Sequence, residues 1–362
     1  MNKLVEPKLS VVELDKIILR RLKDYPDYHK EFIGAVTNSI KNDYDEITDD
    51  FAKNLIAVDK KGYDEFGYFT LGKDIWLIFD KNTNEFLGFE VITRKRGGSI
   101  KLGPTYLKPE ARGGGYAVQM IEGLCRIYAS KGARKVYVTA PLGHKSTAIL
   151  DFNHLNLKLE AILHNHYSKG SSERICGKFI NDNSSVNTMV PRVKSGNKKI
   201  INIYEDGLRY VEYDEFSEFI IENMKPNYND IDHTFVESIF NGVKMGIETK
   251  YEKKGKVAFT FFSNDAFEGI AVAALKRGGV FKVAPFLLTD ECITMVNVTN
   301  IIKKIEEYAM KYKRRKITIL LPVRDLNIAN ILSQNYFISE GVLREPYKDG
   351  VDIVVFSKEL SI

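Results

Sequence analysis

The same short patterns occur twice in this chain at one fixed displacement. The tetrapeptide Lys-Arg-Gly-Gly stands at residues 95–98 and again at 276–279, and Pro104 has a counterpart in Pro285. The two displacements, 276 − 95 and 285 − 104, are equal, and each is half of the 362-residue chain. Solenoid repeats have periods of about 20 to 50 residues, so this longer period predicts two copies of one domain.

Each half predicts a domain with its own sheet and helices. We expect a first domain at residues 1–183, a linker at 184–199 and a second domain at 200–362, because the linker segment is rich in Asn, Ser, Lys and Pro. Apolar periodicity predicts helices and strands in both halves. The expected fold class is α+β, with two tandem domains that each hold a mostly antiparallel twisted sheet flanked by helices.

The predicted elements follow a similar order in the two halves. In the first half we predict helices at residues 14–22, 28–40, 118–128 and 146–155, and strands at 68–71, 74–80, 86–93, 99–107, 135–140, 159–167 and 174–180. In the second half we predict strands at residues 200–204, 257–263, 268–275, 281–288 and 316–321, helices at 215–223, 232–240, 298–313 and 328–334, and closing strands that extend to residue 360.

A strand, a glycine-rich turn and a helix follow one another in the first half. The predicted strand at 99–107 leads to Gly113, Gly114 and Gly115, and an amphipathic run at residues 118–128 follows. Three glycines allow a tight turn whose N–H groups point inward, and the helix adds its positive dipole end. This order predicts an anion site for a diphosphate. The displaced copy at residues 293–297 contains no glycine, so we expect no phosphate loop in the second half.

Composition excludes several classes of protein. The formal net charge of +5 is small for this length and requires no nucleic-acid partner. The sequence has no N-terminal apolar leader and no apolar run of about 18 residues, which predicts a cytoplasmic protein without membrane contact. Cys125, Cys176 and Cys292 are too few and too scattered for a zinc site or a disulfide framework, and we expect Cys125 in the core.

The glycine-rich segment resembles a known family. Arg112, Gly115 and Ala117 form an Arg-x-x-Gly-x-Ala pattern between a strand and a helix, which is similar to the phosphate loop of the GNAT superfamily of acyl-CoA-dependent N-acyltransferases. Residues 148–160 are similar to the later helix and strand of that family. The resemblance spans about half of the chain and, in weakened form, the other half. It implies acetyl-CoA as co-substrate, no metal, and a degenerate second copy.

The resemblance also implies a set of residues that bind the co-substrate. Pro104 inside a strand favours a bulge, and in the GNAT fold this strand diverges from the next one to admit the pantetheine arm. Backbone groups of Tyr106 and Leu107 would pair with that arm, and an N–H near Thr105 would face the acetyl carbonyl. The implied set is Thr105, Tyr106, Leu107, Arg112, Gly113, Gly114, Gly115, Tyr116, Ala117 and Phe152.

The sequence offers several candidate catalytic residues. Phe152 stands where many family members have a tyrosine that protonates the departing thiolate, so another group must do so here. Glu90 is the candidate base, and its alternative is a salt bridge or an outward strand position. The predicted catalytic residues are Glu90, His144 and Tyr106. The candidates for protonating the thiolate are Tyr106, Tyr116, His144, His154 and Tyr167, or water.

Two further motifs have structural explanations. His164 and His166 share one face of a predicted strand, a spacing that allows a metal, but no third ligand lies nearby in the sequence, so we expect a cleft border or a surface position. The dipeptide at residues 97–98 is Gly-Gly, which predicts a hairpin turn and not a phosphate contact.

The expected function is N-acetyl transfer from acetyl-CoA to a primary amine by direct attack. The resemblance favours a small molecule, such as an amino-acid-derived compound or an antibiotic. Protein or peptide acetylation and a non-catalytic acyl-CoA-binding regulatory module are the alternatives. A transferase that uses charged tRNA is disfavoured by the intact glycine loop. We expect a monomer or a homodimer, and the amine, the acyl length and the role of the second domain stay open.

Overall fold

The chain divides into two compact units, Met1–Ser185 and Val186–Ile362. The structure is a computed structural model that describes residues 10–40, 47–64, 72–142, 155–168, 170–180, 199–205, 207–251 and 255–361. The predicted strand at 68–71 and the predicted helix at 146–155, apart from its last residue, lie outside these ranges.

The first unit holds one mixed sheet. Its strands are β1 (Val11–Glu13), β2 (Ile17–Arg21), β3 (Lys73–Asp80), β4 (Phe86–Lys95), β5 (Ser99–Leu107), β6 (Lys135–Pro141), β7 (Lys158–Ser168) and β8 (Ser171–Phe179), and its helices are α1 (His29–Ala35), α2 (Asp49–Lys61) and α3 (Tyr116–Ala129). The strand order is β1-β2-β3-β4-β5-β6-β8-β7. The pair β5 and β6 is parallel, and the other neighbouring pairs are antiparallel.

Helices cover both faces of this sheet, because successive side chains of a strand point to opposite faces. In β3, Ile75 and Leu77 pack with the apolar residues of α1 and α2. Trp76 and Ile78 pack with the apolar residues of α3 on the other face. The strand is therefore buried on both faces, and its sequence is a nearly continuous apolar run.

The sequence prediction is wrong at the N-terminal end of the first unit. The segment predicted as a helix at residues 14–22 forms the β1–β2 hairpin, in which Ile17 and Leu19 are buried at the two-residue period of a strand. The sequence pattern also does not predict α2. Thr48 caps the first turn of that helix by accepting a hydrogen bond from the N–H of Phe51, and Gly62 ends it with a φ of 74°.

The second unit repeats the order of strands. Its elements are β9 (Asn202–Glu205), α4 (Tyr213–Met224), α5 (His233–Glu248), β10 (Lys256–Ser263), β11 (Ala266–Lys276), β12 (Val280–Leu288), α6 (Met295–Lys311), β13 (Lys316–Pro322), α7 (Leu326–Gln334), β14 (Ile338–Leu343) and β15 (Ile353–Glu359). The order β9-β10-β11-β12-β13-β15-β14 matches that of β2 to β8 in the first unit. Strands β12 and β13 are the parallel pair.

Both units contain the predicted bulge and the predicted hairpin turn. The register between β4 and β5 shifts between Glu90 and Ile92, opposite Pro104, and that between β11 and β12 shifts between Ala271 and Ala273, opposite Pro285. The Gly-Gly dipeptides at 97–98 and 278–279 all have a φ between 71° and 74°, as a tight hairpin turn requires.

A fully buried group of polar side chains joins α2 to the sheet of the first unit. Arg21 Nη2 donates to Asp59 Oδ1 at 2.9 Å and to Asp74 Oδ1 at 3.0 Å, and the hydroxyl of Tyr128 donates to Asp74 Oδ2 at 2.5 Å. Burial opposes the charge of Arg21, but Asp74 and Asp59 outweigh this effect and raise its pKa. Such a group stabilises the fold only while every charge keeps its partner.

Replacement of Arg21 by methionine is therefore expected to be strongly destabilising. The variant removes the buried arginine that pairs with Asp59 and one of the two buried arginines beside Asp74, the other being Arg94, which lowers the free energy of unfolding by about 3 to 5 kcal/mol. Lys53→Met is the control, because Lys53 pairs with Asp50 at the exposed surface of α2 and should change stability little. Urea unfolding measures both, and equal losses in the two variants would contradict the role given to Arg21.

Candidate functional site

The two parallel strands of the first unit diverge after four residue pairs. Hydrogen-bonded pairing between β5 and β6 runs from Ser99, opposite Lys135, to Leu102, opposite Val138. Strand β5 continues to Leu107 and stays paired with β4 on its other side. The second half of β5 therefore presents one edge that β6 does not cover.

The uncovered part of β5 leads into the glycine loop. Gly113 and Gly115 have φ values of 84° and 79°, and a Cβ built on either would have no heavy atom within 4 Å. The positive φ explains the choice of glycine, and the empty space shows that the loop is open on this side. Gly115 is the N-cap of α3, and no side chain among the described residues caps that helix. Its first N–H groups are thus left for an anion.

A lysine that the sequence pattern does not single out lies beside this loop. The backbone N–H of Lys16, in the β1–β2 turn, donates to Gln119 Oε1 at 2.8 Å. Its ammonium Nζ lies 3.5 Å from the carbonyl oxygen of Gly114 and is exposed. The sequence predicts a helix at residues 14–22 and therefore does not predict the turn that contains Lys16. The hairpin therefore supplies a cation next to the N-terminus of α3.

The corresponding helix of the second unit is closed by its own chain. Thr294 caps α6 by accepting from the N–H of Asn297 at 3.1 Å. The Asn297 side-chain amide donates to the carbonyl oxygens of Lys199 (2.7 Å) and Cys292 (3.0 Å), and Lys199 Nζ contacts Glu268 Oε1 at 2.6 Å. This helix start therefore has a side-chain cap, and the Asn297 side chain is bonded within the unit.

Glu90 lies in the interior, across the bulge from the uncovered part of β5. It is completely buried, with Oε1 accepting from the N–H of Gly103 at 2.7 Å and Oε2 accepting from the hydroxyl of Thr105 at 2.6 Å. Neither the salt bridge nor the outward position considered from the sequence is seen for it in the described part of the chain. Burial raises its pKa to about 8, although the bonds from Thr105 and Gly103 oppose that shift. A carboxyl with this pKa exchanges a proton near neutral pH.

Three of the other predicted residues make specific contacts. Arg112 Nε donates to the carbonyl oxygen of Leu107 at 3.0 Å, which ties the end of β5 to the loop. The hydroxyl of Tyr116 donates to Asp80 Oδ2 at 3.0 Å, and this bond raises the pKa of the tyrosine. The half-buried ring of Tyr106 lies 5.8 Å from that of Phe89. Ala117 is in the first turn of α3.

Several predicted residues lie outside the described ranges. His144, Phe152 and His154 are among them, and the side chain of Tyr167 is not described although its backbone belongs to β7. His164 and His166 are in β7, and no group of three or more potential metal ligands occurs among the described residues. Cys125 is buried in the α3 core, as predicted.

Within the described ranges, no helix of either unit is long and apolar enough to traverse a bilayer.

Comparison with known proteins gives matches among solved structures. Neither a family model nor a curated protein matches the chain. An acetyl transferase of Salmonella typhimurium that modifies the N-terminal serine of 50S ribosomal subunit protein L7/L12 is 16% identical, covers 47% of this chain and 99% of its own, and has a TM-score of 0.38. A probable acetyltransferase of the GNAT family from Chromobacterium violaceum is 12% identical, with coverages of 50% and 91% and a TM-score of 0.40.

A third match was solved with a ligand. The Microcin C7 self immunity acetyltransferase MccE, in complex with acetyl-CoA and AMP, is 14% identical, covers 48% of this chain and 98% of its own, and has a TM-score of 0.38. The matched structures are acetyltransferases, and each one spans about half of this chain.

Proposed function

We propose that the first unit binds acetyl-CoA and transfers its acetyl group to a primary amine. The observation that carries this proposal is the continuity of one segment: the edge of β5 that β6 leaves uncovered runs directly into the open loop at residues 113–115. When bound, acetyl-CoA supplies an acetyl group already activated as a thioester. The chain has to bind it, orient it and accept a proton from the amine.

The described residues fit such a ligand. The N–H groups of Gly113, Gly114 and Gly115, with the N-terminus of α3, would hold the diphosphate, because the loop is open and the helix is uncapped. The stretch of β5 around Tyr106 and Leu107, which β6 does not cover, would bond the pantetheine arm as a missing strand would. The N–H of Thr105 is the proposed oxyanion donor. Glu90 is the proposed base, since its pKa of about 8 suits proton acceptance from an amine.

We assign the second unit the role of a degenerate copy of the first. Its matching strand order and bulge support this assignment. A Cβ on Gly88 would lie 2.1 Å from the carbonyl oxygen of Tyr106, and one on Gly269 would lie 2.4 Å from that of Leu287, so the same close approach recurs at the displacement of the repeat. Because its α6 is capped internally, we expect one acetyl-CoA site per chain, in the first unit.

Lys16 is expected to contribute modestly to acetyl-CoA binding. Lys16→Ala removes an exposed positive charge beside the diphosphate loop, so affinity should fall about two- to fivefold, and less at high salt. Lys131→Ala is the matched control, because Lys131 follows the other end of α3, roughly 20 Å along the helix. Calorimetric titration at two ionic strengths measures both, and equal losses would contradict the proposed position of the diphosphate.

The proposed acceptor is a small amine, and its class can be tested directly. Release of free CoA thiol from acetyl-CoA is followed with a panel of amino-acid-derived amines, aminated antibiotics and peptides with free N-termini. Rapid release with a small amine supports the proposal, while release with peptides alone would replace it by protein acetylation. Tight binding of acetyl-CoA without release for any amine would favour a regulatory acyl-CoA-binding module instead.

A further inference from the structure

We infer that the hydroxyl of Thr105 carries the proton of the acceptor amine to the carboxylate of Glu90. This inference rests on the proposed acetyl transfer, and it adds a second residue to the proposed proton path. A second residue is needed because Glu90 is completely buried, whereas the amine would arrive at the open edge of β5.

Thr105 is placed to connect these two environments. The residue is exposed and stands in the part of β5 that β6 does not cover. Its hydroxyl donates to Glu90 Oε2 at 2.6 Å, a short distance typical of an O–H bond to a carboxylate. The other carboxylate oxygen, Oε1, already accepts from the N–H of Gly103. Thr105 therefore bridges the buried carboxyl and the open edge.

The second unit shows that the bulge does not require this pair. Ala271 and Phe286 occupy the positions of Glu90 and Thr105 in the second copy, and they are paired across β11 and β12 in the same way. The register shift at the bulge is nevertheless present in both units. The carboxyl and the hydroxyl are thus dispensable for the backbone shape, which favours a chemical role in the unit that has the open loop.

No competing ionised group intervenes in the described part of the chain. Among the described residues, the pKa of Glu90 responds to burial, which raises it, and to the bonds from Thr105 and Gly103, which lower it. The titratable group that α3 brings near is Cys125, and burial raises its pKa to about 11, so it remains a neutral thiol at physiological pH. The contact with Thr105 is therefore the one we assign to proton transfer.

The proton moves from the amine to Glu90 in two linked transfers. As the amine nitrogen forms its bond to the acetyl carbon, its proton passes to Thr105 Oγ, and the proton that Thr105 held passes to Glu90 Oε2. The threonine hydroxyl is restored and Glu90 becomes a neutral acid. The carbon–sulfur bond breaks with its electron pair retained on sulfur, and Glu90 later returns its proton to water.

Substitutions at Thr105 test this path. Thr105→Val removes the hydroxyl at constant shape and should lower kcat about 100-fold, within the range for loss of acid–base assistance. Thr105→Ser restores a hydroxyl and should recover activity to within about threefold. The double variant Thr105→Val with Glu90→Gln should be no slower than Glu90→Gln alone, because both changes interrupt one path.

The pH profile separates this role from a structural one. In the wild type kcat should rise with pH to a plateau above about 8, and Thr105→Val should lose that rise while keeping its acetyl-CoA affinity. A valine variant with wild-type kcat and pH profile, or a double variant whose losses multiply, would overturn the inference. Failure of the proposed function has a different signature, since wild type itself would then bind no acetyl-CoA or transfer no acetyl group.

Discussion

Gly115→Glu is expected to reduce acetyl-CoA affinity about 100-fold or more. Gly115 has a φ of 79° and its Cβ position faces open space at the N-terminus of α3, where we place the diphosphate. A glutamate there fills that space and sets a negative charge against the phosphates, while its left-handed φ adds backbone strain. A loss of 100-fold corresponds to about 2.7 kcal/mol of binding free energy. Calorimetric titration gives the dissociation constant directly.

Two controls separate the effect of the negative charge at position 115 from the effect of backbone strain there. Gly132→Glu is matched in geometry, because Gly132 follows the far end of α3, has a φ of 92° and also has no heavy atom within 4 Å of its Cβ position. It should bind acetyl-CoA like wild type. Gly115→Asn keeps a residue that tolerates the left-handed region and carries no charge, so it should lose less affinity than the glutamate variant. Comparable losses in the glutamate variants at positions 115 and 132 would contradict the assigned loop.

Glu90→Gln is expected to lower kcat by about 100-fold or more and to remove the pH dependence that the base imposes. Glutamine retains an acceptor for the N–H of Gly103 but cannot take up a proton. The base acts when deprotonated, so wild-type kcat should increase as pH rises through about 8, the pKa to which burial raises Glu90. The variant should show no such rise. Steady-state rates between about pH 6 and 9.5 measure this difference.

Protein stability gives an independent check on the same group. The folded state holds the proton of Glu90 more tightly than the unfolded state, because its pKa is raised from 4.5 to about 8. The free energy of unfolding should therefore fall as pH rises between these values, by up to about 1.4 kcal/mol per pH unit from this group alone. Glu90→Gln should remove that contribution. A variant with the wild-type pH dependence of both rate and stability would contradict the assignment.

Local patterns predict the parts of the first unit that depend on neighbouring residues. The bulge follows from Pro104 within an apolar strand, and the hairpin turn at 97–98 follows from its Gly-Gly dipeptide. The strand, glycine turn and helix around Gly113 also follow from local preference. Each of these features is set by backbone conformation at a few adjacent positions, which a sequence displays.

Features that depend on distant contacts are not predictable in this way. Arg21 is buried because it meets Asp59 and Asp74, which are 38 and 53 residues away, whereas its local segment predicts a helix. The contacts of Glu90 form across the bulge, so its complete burial is not visible in β4 alone. Lys16 reaches Gly114 across 98 residues. Burial of a side chain depends on contacts between residues that are far apart in the chain, and local patterns in a single sequence do not reveal these contacts.

Titration of acetyl-CoA into the full chain tests the proposed site most directly, with the stoichiometry as the decisive result. One site per chain is expected, since the loop at residues 113–115 is open while α6 of the second unit is capped by Thr294 and bonded to Lys199. That site should be lost in Gly115→Glu. Two sites would contradict the degenerate second unit, and no binding would contradict the proposed acetyltransferase itself.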